Sequence, residues 1–369
     1  MDSIVNDKYK YIMFYSAKAG CTSMRNLFIA LHKDEMSEQQ RGQMNSYHNI
    51  NELFPYDRDA DYSDYYKFYI SRNPYSRVVS GFLDQYVYAQ NTRVKEMLEQ
   101  SPPKDGPPQT FIEFLEYLKT VKDSDRDGHF QTQAFSSHVV KVRMGRSFLV
   151  RYYYKDKSCI PLNYAGDIAG FNSHMQKVYR KIFKRDPQMR EKAMREIGNI
   201  QKMNSSFYGP ETHENAATLT VAELDDLVYA PKPQDFFLDE SARQLVQEIY
   251  AEDFYVFGYD KSKIPQKKAS RELAAIPDDF DWETYLMLAP DLQLAGINKE
   301  RTVMRHFLEF GQHEIHHRAY KVEAPDGFDW REYLAAHEDL TAAGIDNERD
   351  AIIHYLSYGR NEGRELRCE

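Results

Sequence analysis

Lys18-Ala19-Gly20-Cys21-Thr22-Ser23 is a run of small residues with a cation at its head and two hydroxyls at its end. Small side chains let backbone N–H groups crowd toward a ligand, and a helix starting here would add about half a positive charge. Lys18, Thr22 and Ser23 supply side-chain donors. Such a turn cradles an anion, with phosphate or sulfate as its natural guest, although the same residues also suit a plain structural turn. The pattern G-x-x-x-x-G-K-[ST] is absent: the Lys precedes the Gly, so the turn is shorter. Further on, Arg72 ends an apolar run, Pro74 opens a helical one, and Ser80 follows the Arg by eight residues. A helix can bring the Ser80 hydroxyl and the Arg72 fork toward one phosphate, which Arg contacts in bidentate fashion. An Arg paired with a surface carboxylate, beside a buried Ser, is the plainer alternative.

The first turn resembles the 5′-phosphosulfate loop of carbohydrate sulfotransferases that use PAPS (3′-phosphoadenosine 5′-phosphosulfate). Arg72-Asn73-Pro74-Tyr75-Ser76-Arg77-Val78-Val79-Ser80 resembles the 3′-phosphate motif of that family, R-x-P-x-x-R-x-x-S. His129-Phe130-Gln131-Thr132-Gln133 is similar to its H-[FW]-x-x-Q segment, and Tyr250-Ala251-Glu252-Asp253-Phe254 with Phe257-Gly258-Tyr259 to its closing signature. The four motifs stand in the family's order, and the likeness spans residues 8 to 260. It is to soluble, bacterial-type members rather than membrane-anchored Golgi ones.

The resemblance implies that Lys18 sits on the oxygen bridging phosphate and sulfate. It implies that Ala19, Gly20, Cys21, Thr22 and Ser23 cradle the 5′-phosphate, and that Arg72 and Ser80 hold the 3′-phosphate. Cys21 is then a small filler rather than a nucleophile, and the reaction needs no metal. The acceptor hydroxyl needs a base, and His suits neutral pH. His48, between the two turns, is the first candidate, with His129 and Glu52 as alternatives. His129 and Gln133 are further expected to shape the acceptor site. Lys141, Arg143, Arg146, Arg151, Lys155 and Lys157 form a basic run that reads either as a patch for an anionic glycan or as a solvated sheet edge or helix face. Lys202-Met203-Asn204-Ser205-Ser206 resembles a segment that some relatives place near the nucleotide, whereas Tyr152-Tyr153-Tyr154-Lys155-Asp156 departs from the family's pattern.

These turns need strands and helices to place them. Tyr9–Tyr15 is short, aromatic-rich and mostly apolar, as a buried parallel strand should be. Met24, Leu27, Phe28 and Leu31 then stripe a helix. Tyr65–Ile70 predicts a second strand, and Val79, Phe82, Leu83 and Tyr86 stripe a second helix. The expected fold is therefore α/β: a P-loop-like parallel sheet flanked by helices, with ligands at its C-terminal edge, followed by a small all-α region.

That all-α region is a repeat. Phe280-Asp281-Trp282, Tyr285-Leu286, Asp291-Leu292, Ala295-Gly296-Ile297, His306 and Gly311 all recur 48 residues later without a gap. Each copy reads as two helices separated by a Gly stop, with its Trp expected to anchor a small core. His306 and His354 are read as core positions rather than metal ligands, and His313, His316 and His317 as surface. The expected division is 1–262 for the sulfotransferase domain, 263–279 for a charged, proline-bearing linker, and 280–327 and 328–369 for the two copies. The copies resemble units appended to polysaccharide-biosynthesis enzymes, which implies glycan or protein docking. Ser101–Gln109, with four prolines, is expected to be a surface loop.

The 369 residues hold 48 basic and 57 acidic side chains, a net charge of −9 that argues against a nucleic-acid binder. Hydrophobic residues make up 42% and charged ones 28%, which sets disordered and fibrous classes aside. No run approaches the roughly 18 apolar residues of a membrane span, and the first residues lack the marks of a signal peptide. Cys21, Cys159 and Cys368 have no metal-like spacing. The expected compartment is the reducing cytoplasm, free or peripheral to the inner face of a membrane. The rival readings are a P-loop-like nucleotide kinase and a non-catalytic glycan-binding adaptor.

Overall fold

The computed structural model of the chain describes residues 2–44, 49–57, 59–89, 91–136, 139–144, 147–153, 159–200, 208–269, 276–312 and 319–366, with backbone course alone within 135–161. One compact unit comprises Met1–Ser206, Glu211–Asp226 and Pro231–Lys267; a second comprises Phe207–Pro210, Leu227–Ala230 and Lys268–Glu369.

The first unit is built on a four-stranded, mostly parallel sheet flanked by helices. β1 (Asp2–Asn6) and β2 (Tyr11–Tyr15) form an antiparallel hairpin. β2 runs parallel to β3 (Tyr66–Ser71). A second antiparallel sheet contains β4 (Val139–Met144), β5 (Ser147–Tyr153) and β6 (Cys159–Pro161). The chain then returns as β7 (Tyr164–Asp167), parallel to β3 and completing the order β1-β2-β3-β7.

All five residues of β2 are buried, because apolar groups cover both faces of the sheet. Tyr11, Met13 and Tyr15 point into one core, which α1 (Cys21–His32) closes with Met24, Leu27, Phe28 and Leu31. Ile12 and Phe14 point into the other, with Tyr69, Leu162 and Val256. The alternation comes from the period-2 pleat of a strand. The proline-rich stretch Ser101–Gln109 is a largely exposed loop between helices Thr92–Gln100 and Phe111–Thr120.

Among the described residues of the second unit, each copy has three helical segments rather than the expected two. They are Trp282–Met287, Pro290–Leu294 and Glu300–His306 in the first copy, and Trp330–Ala336, Glu338–Ala342 and Glu348–His354 in the second. The extra break falls at Ala289 and His337, which share nearly the same non-helical backbone angles, φ −128° and −133° with ψ 71° and 72°. Only the first of these precedes a proline, so the packing of the copy sets the break. The expected anchor is also corrected. Tyr285 and Tyr333 are fully buried, while Trp282 and Trp330 pack at the margin of each core. Tyr285 pairs its hydroxyl with His306 Nδ1 at 2.9 Å, and Tyr333 with His354 at 3.0 Å. Gly311 and Gly359 recur because a Cβ there would collide with these same tyrosine hydroxyls. Among the described residues no helix is long and apolar enough to cross a membrane.

Candidate active site

Because β2, β3 and β7 are parallel, their C-terminal ends deliver Ser16, Arg72 and Asp167 to one edge of the sheet. The turn after β2 carries Lys18 in the left-handed region, at φ 63°, a conformation that costs a non-glycine residue energy and persists only where surroundings enforce it. The enforcement is visible. Arg72 Nη1 donates to the Lys18 carbonyl at 2.9 Å, and Arg77 Nε donates to the Ala17 carbonyl at 3.0 Å. Ser16 Oγ accepts from the Tyr69 hydroxyl at 3.0 Å. Gly20, at φ 81°, begins α1, and a Cβ there would strike Ile168 in the loop after β7. No described side chain caps this helix start, and no acidic residue lies in its first turn. Its N–H groups, with Thr22 and Ser23, therefore offer donors to an anion. Cys21 is a half-buried free thiol packed against the core.

The second turn starts α2 (Pro74–Gly81) in a textually legible way: Asn73 caps it by accepting from the Tyr75 N–H at 3.0 Å, and Pro74 takes the first position. Arg77 is 1% exposed. Besides Ala17 it donates to the carbonyls of Gln131 at 2.7 Å and Gly128 at 3.2 Å. This one guanidinium ties both turns to the segment that carries His129. Gln133 is fully buried, and its amide group brackets the Arg72 backbone, accepting from N–H and donating to C=O, each at 2.8 Å. The Asp253 carboxylate, also fully buried, accepts from the N–H groups of Gln133 at 2.9 Å and Ala134 at 2.8 Å. Burial pushes the Asp253 carboxyl above the usual range, against the opposing pull of Arg77 and these N–H groups. Tyr259 donates to Asp167 and pairs with Ser71 Oγ at 2.8 Å. The closing motifs thus brace the strand ends from behind.

Beyond Gly81 the helix continues over Phe82–Tyr88 with its turns widened to i→i+5 bonding, a geometry common at functional sites. Asp84 lies in this stretch and forms an ion pair with Lys18; Gln85 Nε2 donates to the same carboxylate oxygen. The Lys18 side chain is 16% exposed and that of Asp84 42%. Burial raises the Asp84 pKa, but the Lys18 charge and the hydrogen bonds outweigh it and hold the carboxyl below its ordinary value. Nearby, His129 Nδ1 bonds Asp127 Oδ1 at 2.6 Å, and the His129 charge adds to the pull on Asp84. Burial raises the Asp127 pKa, yet His129 brings it to a net lowering. The His129 backbone packs against Gly81 of α2.

The structure therefore brings Lys18, Ala19, Gly20, Cys21, Thr22, Ser23 and Arg72 to one edge, with Ser80 on the helix that leaves it. Gln133 turns inward and is occupied with Arg72 and Asp253. His48, Arg146 and the 202–206 segment lie outside the described residues, as do His313, His316 and His317. Arg143 is on β4, in a stretch described by its backbone alone. Sequence reading missed Asp84, Arg77 as the clamp, and Asp127. The available signals were Asp84 one turn beyond Ser80 on the same helix, and the Asp-x-His spacing of Asp127 and His129. Among the described residues no three His, Cys, Asp or Glu side chains gather as a metal site would need. A surface hollow lined by Arg180, Pro187, Arg190, Glu191 and Met194 shares no residue with the two turns.

A model described as the sulfotransferase family matches residues 1–260 of the chain. No curated protein and no solved structure matches it.

Proposed function

The chain belongs to the sulfotransferase family, and from that premise we propose that it moves a sulfuryl group from PAPS to a carbohydrate hydroxyl, releasing adenosine 3′,5′-bisphosphate. The observation that carries this reading is the bond from Arg72 to the Lys18 carbonyl, which joins the two anion-binding turns at one edge. The donor set fits the molecule: an uncapped helix start, an ammonium, two hydroxyls and a guanidinium, all of which donate to phosphate oxygens.

PAPS supplies an activated sulfuryl group whose bond to a phosphate oxygen breaks as one to the acceptor oxygen forms. Lys18 neutralises the charge that grows on the oxygen left behind. Ala19, Gly20, Cys21, Thr22 and Ser23 hold the 5′-phosphate, while Arg72 and Ser80 hold the 3′-phosphate that separates PAPS from simpler adenylates. His48 receives the acceptor's proton. The C-terminal copies serve as a docking element for glycan or protein. Phe310 and Tyr358, exposed at equivalent positions of the two copies, are flat rings of the kind that stack on sugar faces.

The test is transfer of labelled sulfuryl groups from PAPS to a panel of oligosaccharides without added metal. Labelled sugar is the expected product. His48→Ala should lower transfer roughly hundredfold or more while leaving adenosine 3′,5′-bisphosphate binding intact. Wild-type turnover by that variant would remove His48 as base. Label on protein tyrosine alone would overturn the carbohydrate assignment, and magnesium-dependent phosphoryl transfer from ATP would replace the whole reading with a kinase.

A further inference from the structure

We propose that Asp84 is an acceptor-binding carboxylate that is masked by Lys18 until the donor is in place, so that donor binds before acceptor. The inference rests on the sulfuryl-transfer reading above and deepens it at the same site.

Lys18 faces two anions. In the structure its ammonium is paired with Asp84, and the pair is largely withdrawn from water on the lysine side. The same ammonium heads the turn whose uncapped helix start and hydroxyls suit a phosphosulfate. A carboxylate held against that cradle repels a polyanionic donor. Lys18 must therefore leave Asp84 when it turns to the donor's bridging oxygen. Asp84 then keeps the Gln85 amide as a partner but loses its cation, and its part-exposed oxygens need a new hydrogen-bond donor. A neutral hydroxyl meets that need without bringing in another negative charge. The widened turn over Phe82–Tyr88 sets this carboxylate one turn past Ser80, beside the oriented His129–Asp127 pair. An ionised carboxylate only accepts hydrogen bonds and a sugar hydroxyl carries a single proton, so Asp84 holds a neighbouring hydroxyl of the acceptor, or the second proton of water, while the general base takes the proton of the attacking oxygen.

Two measurements test the proposal, and neither requires a known acceptor. In the first, surface carboxylates of the full-length protein are modified with a carbodiimide and located by mass spectrometry. Modification of Asp84 should rise when adenosine 3′,5′-bisphosphate is added, because Lys18 has left it. Unchanged or reduced modification would overturn the proposal. In the second, Asp84→Asn is compared with wild type for bisphosphate affinity and for slow PAPS cleavage with water as the hydroxyl acceptor. Affinity should tighten roughly twofold to fivefold, since a part-exposed ion pair no longer has to be broken. Cleavage should fall about tenfold or more, the worth of a hydrogen bond to a charged group. A parallel loss of affinity and cleavage would show that Asp84 only props up Lys18, and would contradict the proposal. Wild type failing to bind the bisphosphate would instead contradict the donor assignment itself. Should the Asn variant misfold, Asp84→Glu, which retains the charge, should bind the bisphosphate as wild type does and still cleave PAPS more slowly.

Discussion

At the scale of single residues, the chemistry of the edge was partly written in order along the chain. Lys18, Gly20 and Arg72 could be read because turn chemistry is local: cation, small residues and helix start follow one another within a few positions. Asp84 could not, because its meaning lies in a contact across 66 residues of sequence. Arg77 looked like one more motif cation and is instead a buried clamp for three carbonyls. Another buried group predicts a pH effect. His32 is 2% exposed, accepts or donates to the Tyr11 hydroxyl at 2.7 Å, and bonds Glu35 at 3.1 Å. Burial depresses its pKa to about 4, against a smaller upward pull from Glu35. The unfolded chain holds this proton more tightly, so the stabilisation is complete above about pH 6.5 and is lost as pH falls toward 4. Between pH 7 and pH 5 the loss should be about 2 kcal/mol. Thermal melts of wild type and His32→Gln across that range check it: the variant should lose less stability on acidification, and equal slopes would contradict the assignment.

At the scale of elements, β2 and β3 came within a residue or two of the expected Tyr9–Tyr15 and Tyr65–Ile70. A strand buried on both faces reads as a continuous apolar run, and that signal is hard to miss. β1 and β7 were not legible. Asp2–Asn6 is short and polar at its ends, while Tyr164–Asp167 has four residues including a glycine. Only pairing with β2 and β3 makes them strands. Of the basic run, Lys141 and Arg143 fall on β4 and Arg151 on β5, the middle strand of its sheet, while Arg146, Lys155 and Lys157 lie outside the described residues. The two turns and the His129 segment act as one braced unit through Arg77. Replacing Arg77 with Met keeps the stem and strands the three carbonyls. It should cost about 3 kcal/mol or more in stability and weaken bisphosphate binding by at least roughly tenfold. A destabilised variant with wild-type affinity would show that the brace serves stability alone.

At the scale of the whole molecule, residues 1–260 carry the family likeness and the last ninety or so carry a duplicated helical unit. The 48-residue period was plain because an ungapped repeat preserves packing positions: the Tyr–His pair and the glycine beneath it recur together. The break between the first two helices of each copy was not legible, since His337 has no proline to announce it. The decisive measurement is isothermal titration of the purified full-length chain, without metal, with adenosine 3′,5′-bisphosphate, adenosine 5′-monophosphate and ATP. Binding that depends on the 3′-phosphate, with the monophosphate bound far more weakly, is the result predicted here. Absence of binding, or a preference for ATP that requires magnesium, would contradict it.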